Sequence, residues 1–146
     1  MPVQGLLESQ NVPPENDEAL AGKRIVVIDD EEFIRTTVRD VLAKSGCEVD
    51  MAVNGHDALV MIQECNYDLV ISDIKMPGAN GYEIFREVKK LKPGCPVMFM
   101  TGFGYDPTHS IIKATPEGLD GVLYKPFKVN ELISAVRNAI LGTRPK

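Results

Sequence analysis

The sequence predicts an α/β protein: a doubly wound, five-stranded parallel sheet with helices on both faces. Three observations lead there. Five short apolar runs recur along the chain, each followed by a segment that reads as helix. That alternation calls for parallel strands joined by right-handed crossovers. The first run is continuously apolar rather than alternating, as a strand covered on both faces must be. Finally, the runs end in polar residues: Asp29 and Asp30, then Asp73, Thr101 and Lys125. In an open α/β sheet the carboxyl edge of the strands is where ligands and chemistry gather.

The elements follow in order. Residues 24–28, Arg-Ile-Val-Val-Ile, lead into the acid pair. Over residues 31–44, Phe33, Ile34, Val38, Val41 and Leu42 recur at helical spacing, and Ser45-Gly46 supplies a stop. Residues 48–53 form a weaker, alternating strand. Asn54 is placed to cap the next helix, with Ala58, Leu59 and Ile62 facing inward. Residues 69–73 make the third strand, and Lys75-Met76-Pro77-Gly78 a turn or loop after it. Asn80 can cap a helix running to about residue 91, with Ile84, Phe85, Val88 and Leu91 inward. Residues 96–101 are the fourth strand. Between there and Gly118, Pro107 and Pro116 bracket a short helical segment at 108–114. Residues 121–125 are the fifth strand, and residues 129–141 a last amphipathic helix with Leu132, Ile133, Val136 and Ile140 on one side.

This organisation sets a domain over residues 23–141. Residues 1–22 carry Pro13, Pro14 and several acids with no apolar period, and read as a disordered arm or linker. Residues 142–146 are a tail. At 146 residues the chain suffices for one core. A hydrophobic fraction of 44% and a charged fraction of 25% are those of an ordinary globular domain. The net charge of -5 argues against direct nucleic-acid binding, which needs clustered Lys and Arg. No apolar run nears the roughly 20 residues of a membrane span, and no signal peptide is evident. Cys47, Cys65 and Cys95 form no metal-ligand pattern with His56 or His109, and read as free thiols of a cytoplasmic protein.

The polar strand ends suggest phosphoryl chemistry. Like charges at about 4 Å repel by roughly 4 kcal/mol at an effective dielectric of 20. Asp29, Asp30 and Asp73 together therefore call for a proton or a divalent ion. Oxygen-only ligands suit Mg²⁺, with Mn²⁺ as an alternative. Asp73 can act as a nucleophile on phosphorus, with Thr101 and Lys125 placed to meet phosphoryl oxygens. Taken one at a time, these residues read as helix caps, turn formers or solvated charges. Their joint placement at separate strand ends carries the functional reading.

Four stretches then resemble one family: Val-Val-Ile-Asp-Asp-Glu at 26–31, Asp-Ile-Lys-Met-Pro-Gly at 73–78, Met-Thr-Gly at 100–102 and Lys-Pro-Phe at 125–127. The chain resembles the receiver domain of two-component response regulators, the chemotaxis regulators among them. The resemblance implies a flavodoxin-like fold with strand order 2-1-3-4-5. It implies that Asp73 accepts a phosphoryl group from a histidine kinase or a histidine phosphotransfer protein, switching partner binding. It implies Mg²⁺ held by Asp30, Asp73, the backbone carbonyl of Lys75, and Asp29 through water. It implies a cis peptide before Pro126. Such a receiver catalyses its own phosphorylation and dephosphorylation and turns over no external substrate. The resemblance also allows a receiver homodimer. It lapses three residues before Lys125, where receivers often carry an aromatic and this chain has Val122. Tyr124 is not expected to stand in, because strand neighbours point to opposite faces.

Two other classes fit these residues less well. A phosphohydrolase resembling the haloacid dehalogenase group places a second Asp two residues after its nucleophile, and this chain has Lys75 there. A doubly wound nucleotide-binding module needs a Gly-rich loop after the first strand, and this chain has Asp29-Asp30-Glu31-Glu32.

Overall fold

The computed structural model describes residues 18–76, 80–102, 111 and 114–142. Pro77 and Gly78 of the expected turn, most of the helical segment at 108–114, the first seventeen residues of the arm and nearly all of the tail lie outside them. Among the described residues, five strands alternate with four helices: β1 (Arg24–Ile28), α1 (Glu32–Lys44), β2 (Glu48–Ala52), α2 (Gly55–Glu64), β3 (Leu69–Asp73), α3 (Gly81–Leu91), β4 (Val97–Thr101), β5 (Gly121–Tyr124) and α4 (Val129–Leu141). A short 3-10 turn, Thr115–Glu117, precedes β5. The strands form one sheet in the order 2-1-3-4-5, and every adjacent pair is parallel.

Local chemistry sets the helix starts. Asn54 Oδ1 accepts the backbone N–H of Asp57 at 2.8 Å and opens α2. At α3, Asn80 Oδ1 accepts from the N–H of Glu83 at 3.0 Å, and Glu83 reaches back to the N–H of Asn80 at 3.2 Å. This reciprocal pair satisfies two helix-end donors at once. Helix α1 has no side-chain cap, but Glu32 in its first turn and Lys44 in its last suit the helix dipole.

The sheet divides the core in two. On one face, Val26, Ile28, Val70, Val97 and Phe99 pack with Ala58 and Ile62 of α2 and Ile84, Phe85 and Val88 of α3. On the other, Ile25, Val27, Leu69, Ile71, Met98 and Met100 meet Val38 and Leu42 of α1 and Leu132, Ile133 and Val136 of α4. Strands β3 and β4 are buried along their whole length, so they are apolar apart from Ser72 and Asp73 at the end of β3 and Thr101 at the end of β4.

Packing begins upstream of the expected boundary. Leu20, read as part of the arm, is fully buried in the α1–α4 face. A turn closed by Lys23 N–H on Leu20 O, at 3.0 Å, turns it inward, and the Cys47 thiol also donates to that carbonyl at 3.4 Å. Cys47, Cys65 and Cys95 are all free thiols. Among the described residues, no helix is long and apolar enough to cross a membrane.

Candidate functional site

The register of the sheet brings the polar strand ends together. β1 stops pairing at Ile28, opposite Ala52 and Ser72, so Asp29 and Asp30 emerge beside the end of β3. Asp73 ends β3 and pairs with Met100. Thr101 ends β4 and pairs with Tyr124, which places Lys125 just beyond. An open cleft of about 900 Å³ lies over this edge, and Asp30, Asp73, Lys75, Thr101 and Lys125 line it.

One carboxylate oxygen from each of Asp29, Asp30 and Asp73 lies within 4.8 Å of the others. Their exposures differ sharply: Asp29 is fully buried, Asp73 is 7% exposed, and Asp30 faces solvent. Asp29 therefore does not line the cleft but sits behind it. Lys125 closes the gap. Its Nζ donates to Asp29 Oδ2 at 2.8 Å and to Asp73 Oδ2 at 3.2 Å, with Glu31 Oε1 at 3.6 Å. The Lys125-Pro126 peptide bond is cis.

Burial dominates the acids. Desolvation raises the pKa of both Asp29 and Asp73, and the hydrogen bonds and charge of Lys125 offset it only in part. For Lys125 the balance reverses. Burial works to lower its pKa, and the two carboxylates outweigh burial and raise it. The ammonium thus stays charged as the internal counter-ion of an acid cluster. The remaining oxygens are also tied down. Asp29 Oδ1 accepts from Glu31 N–H at 2.9 Å, and Asp73 Oδ1 from Lys75 N–H at 3.3 Å.

Thr101 is the exception. It is 2% exposed, and its hydroxyl has no hydrogen-bond partner among the described residues. Leaving such a group unpaired costs about 1–3 kcal/mol. A buried hydroxyl at the floor of a cleft, held at that cost, is a donor in want of an acceptor.

Two contributors were not singled out from the sequence. Gly81 opens α3 pressed against the end of β3: a Cβ there would stand 2.9 Å from both the carbonyl oxygen of Asp73 and the Cα of Ile74. Its N–H also donates to Ile74 O at 2.7 Å. A glycine in a first helical turn, where most residues do better, is the local signal for such close approach. Arg35 of α1 donates from Nη1 to the backbone carbonyl of Asp29 at 2.7 Å. Nothing local in the sequence points to that bond. At the place where the resemblance lapses, Val122 is partly buried against the α2–α3 face. Tyr124, two residues on, lies directly opposite Thr101 and is 61% exposed.

Known proteins are similar to this chain in fold and sequence. The response regulator receiver domain family matches residues 25–137. The chemotaxis protein CheY of Thermotoga maritima is 31% identical over 116 residues, covering 79% of this chain and 95% of that one. A probable transcriptional regulator of Pyropia yezoensis is 37% identical over 119 residues, covering 80% of this chain and 53% of its own length. The chain thus spans about half of that regulator and nearly all of the chemotaxis protein. Among solved structures, a receiver domain protein from Clostridium thermocellum superposes with a TM-score of 0.76 at 38% identity, covering 82% of this chain and 95% of the other. A CheY-like receiver from Methanospirillum hungatei gives 0.78 at 26% identity, covering 84% and 97%. With its fold, strand order and motif-bearing edge all of one kind, this chain belongs to the response regulator receiver domain family.

Proposed function

We propose that the chain is a phosphoacceptor: Asp73 takes a phosphoryl group from a phosphohistidine of a histidine kinase or histidine phosphotransfer protein, in the cytoplasm, and the modified chain changes its binding to a partner. The observation that carries this reading is the unpartnered, buried hydroxyl of Thr101 in the same cleft as the Asp73 carboxylate. It is a donor held ready for an acceptor that none of the described residues supplies.

The donor set fits a hard divalent ion. Asp30 and Asp73 offer oxygens from the cleft wall, the backbone carbonyl of Lys75 lies two residues beyond Asp73, and Asp29 stands behind them within reach of a bridging water. Mg²⁺ bound there supplies positive charge against the phosphoryl oxygens and the three acids. The rest falls to the chain. Asp73 provides an oxygen lone pair to phosphorus. The O–P bond forms as the N–P bond of the donor breaks, and that electron pair returns to the imidazole nitrogen. Lys125 moves its hydrogen bond from the Asp73 carboxylate to a phosphoryl oxygen, and the Thr101 hydroxyl donates to another. Reversal toward water gives inorganic phosphate and restores the carboxylate. The acceptor residue ends unchanged, as in a switch rather than an enzyme acting on an external substrate.

The test is incorporation from acetyl phosphate, read by intact mass. One phosphoryl group per chain is expected with Mg²⁺ and none with a chelator. Asp73→Asn should remove the gain in mass. Label that persists in Asp73→Asn, or that ignores divalent ions, would refute the assignment.

A further inference from the structure

We propose that Arg35 is a positioning residue for the acid cluster: its guanidinium sets the strand-to-helix turn that aims Asp30 and Asp29, and so sets divalent-ion affinity. The inference rests on the metal-binding reading above and adds a residue outside the cleft to it.

The geometry is that of a turn held at both ends. The β1–β2 ladder ends with Asp29 N–H on Ala52 O, at 3.2 Å. The next group along, the Asp29 carbonyl, lies past the last strand pair and has no amide of β2 to meet. Arg35 Nη1 takes that place at 2.7 Å. Two residues on, the Glu31 carbonyl accepts from Arg35's own backbone N–H at 3.1 Å, and the Glu31 N–H is held by Asp29 Oδ1 at 2.9 Å. Both peptide units that flank Asp30 are therefore anchored, and Arg35 anchors the first of them.

Asp30 itself needs this. Its carboxylate is exposed and makes no hydrogen bond to any described residue, so its direction is set by backbone alone. An exposed acid three bonds from a loose turn would sample many directions, and a divalent ion would bear the cost of ordering it. Arg35 meets that cost in the folded protein beforehand. Partners that orient metal ligands in this way commonly affect affinity by about 10–100-fold. Since the contact is a single bond to a carbonyl rather than a two-pronged one, a lysine can replace it in part.

The experiment is a Mg²⁺ titration of the full chain by calorimetry, with amide hydrogen exchange on the metal-free protein. Wild type, Arg35→Ala, Arg35→Lys, Arg39→Ala and Asp30→Asn are compared. Arg39 serves as the charge control, because it lies on the same helix and, among the described residues, pairs with its exposed neighbour Asp40. Arg35→Ala should weaken Mg²⁺ binding by about tenfold and speed exchange of the Glu31 amide without metal. Arg35→Lys should recover most of the affinity, and Arg39→Ala should match wild type. If Arg35→Ala binds as wild type does, or if Arg39→Ala loses as much, the proposal is overturned while the metal site stands. If wild type and Asp30→Asn both fail to bind Mg²⁺ at millimolar concentration, the metal site is refuted and this inference with it.

Discussion

Individual side chains at this edge trade stability for readiness. The Thr101 hydroxyl is buried and unpaired among the described residues, so Thr101→Val, which keeps the β-branched shape, removes a desolvated donor and adds nothing that needs one. The variant should be as stable as the parent or more stable by up to about 1 kcal/mol in urea unfolding, yet incorporate phosphoryl from acetyl phosphate more slowly. A variant both less stable and equally reactive would show that the hydroxyl serves the core. Lys125 works in the opposite direction. It joins Asp29 and Asp73, and at 12% exposure of its side chain its charge is poorly solvated. Lys125→Met leaves two facing carboxylates without their cation and should cost about 3–5 kcal/mol without metal. Millimolar Mg²⁺ should restore much of this, since it supplies the missing charge. Unfolding curves with and without Mg²⁺ check both halves, and a loss that Mg²⁺ leaves untouched would mean the ammonium acts through packing.

At the scale of elements, what the sequence discloses depends on how local the cause is. The caps Asn54 and Asn80 are legible because each bonds an amide three residues away. Asp73, Thr101 and Lys125 are legible because a polar residue at the end of an apolar run marks the sheet edge. Leu20 was lost in an acidic, proline-containing stretch, because its burial depends on α1 and α4, far along the chain. Arg35 left no trace because its partner is a backbone carbonyl, which has no sequence identity. Gly81 is the middle case, visible as a helix residue with poor propensity but silent about what presses on it. It also carries the element-scale prediction. Gly81→Ala puts a methyl group against the backbone of Asp73 and Ile74, which β3 holds rigidly, so either α3 or the acceptor must shift. A cost of about 1–3 kcal/mol is expected, together with slower phosphoryl uptake at Asp73. Asn80→Ala is the companion. It loses the capping box at about 1 kcal/mol and should leave uptake unchanged at temperatures where both variants are folded. Equal uptake in the two would place the role of Gly81 in helix stability alone.

The whole molecule is a sheet whose core ends in unbalanced charge. Its net charge is -5, and three of its acids crowd one edge, two of them paired with Lys125. Two kinds of stabilisation by added cations follow, and they differ in form. General screening relieves diffuse repulsion across the surface, grows slowly with ionic strength and does not distinguish sodium from magnesium at matched strength. Binding at the acid cluster would be saturable and specific to the folded state, because the unfolded chain disperses the three carboxylates. Its contribution rises as RT ln(1 + [Mg²⁺]/Kd), about 2.7 kcal/mol at a hundredfold excess over Kd. The thermal midpoint of the wild-type chain should therefore climb steadily with the logarithm of Mg²⁺ concentration once past Kd, while sodium chloride of equal ionic strength produces only the shallow rise of screening. Asp30→Asn should flatten the magnesium curve onto the sodium one, since it removes a cleft-wall oxygen and leaves the buried Asp29–Lys125 pair in place. Coincident curves in the wild-type protein would mean that Lys125 alone satisfies the cluster and that the fold keeps no place there for a divalent ion.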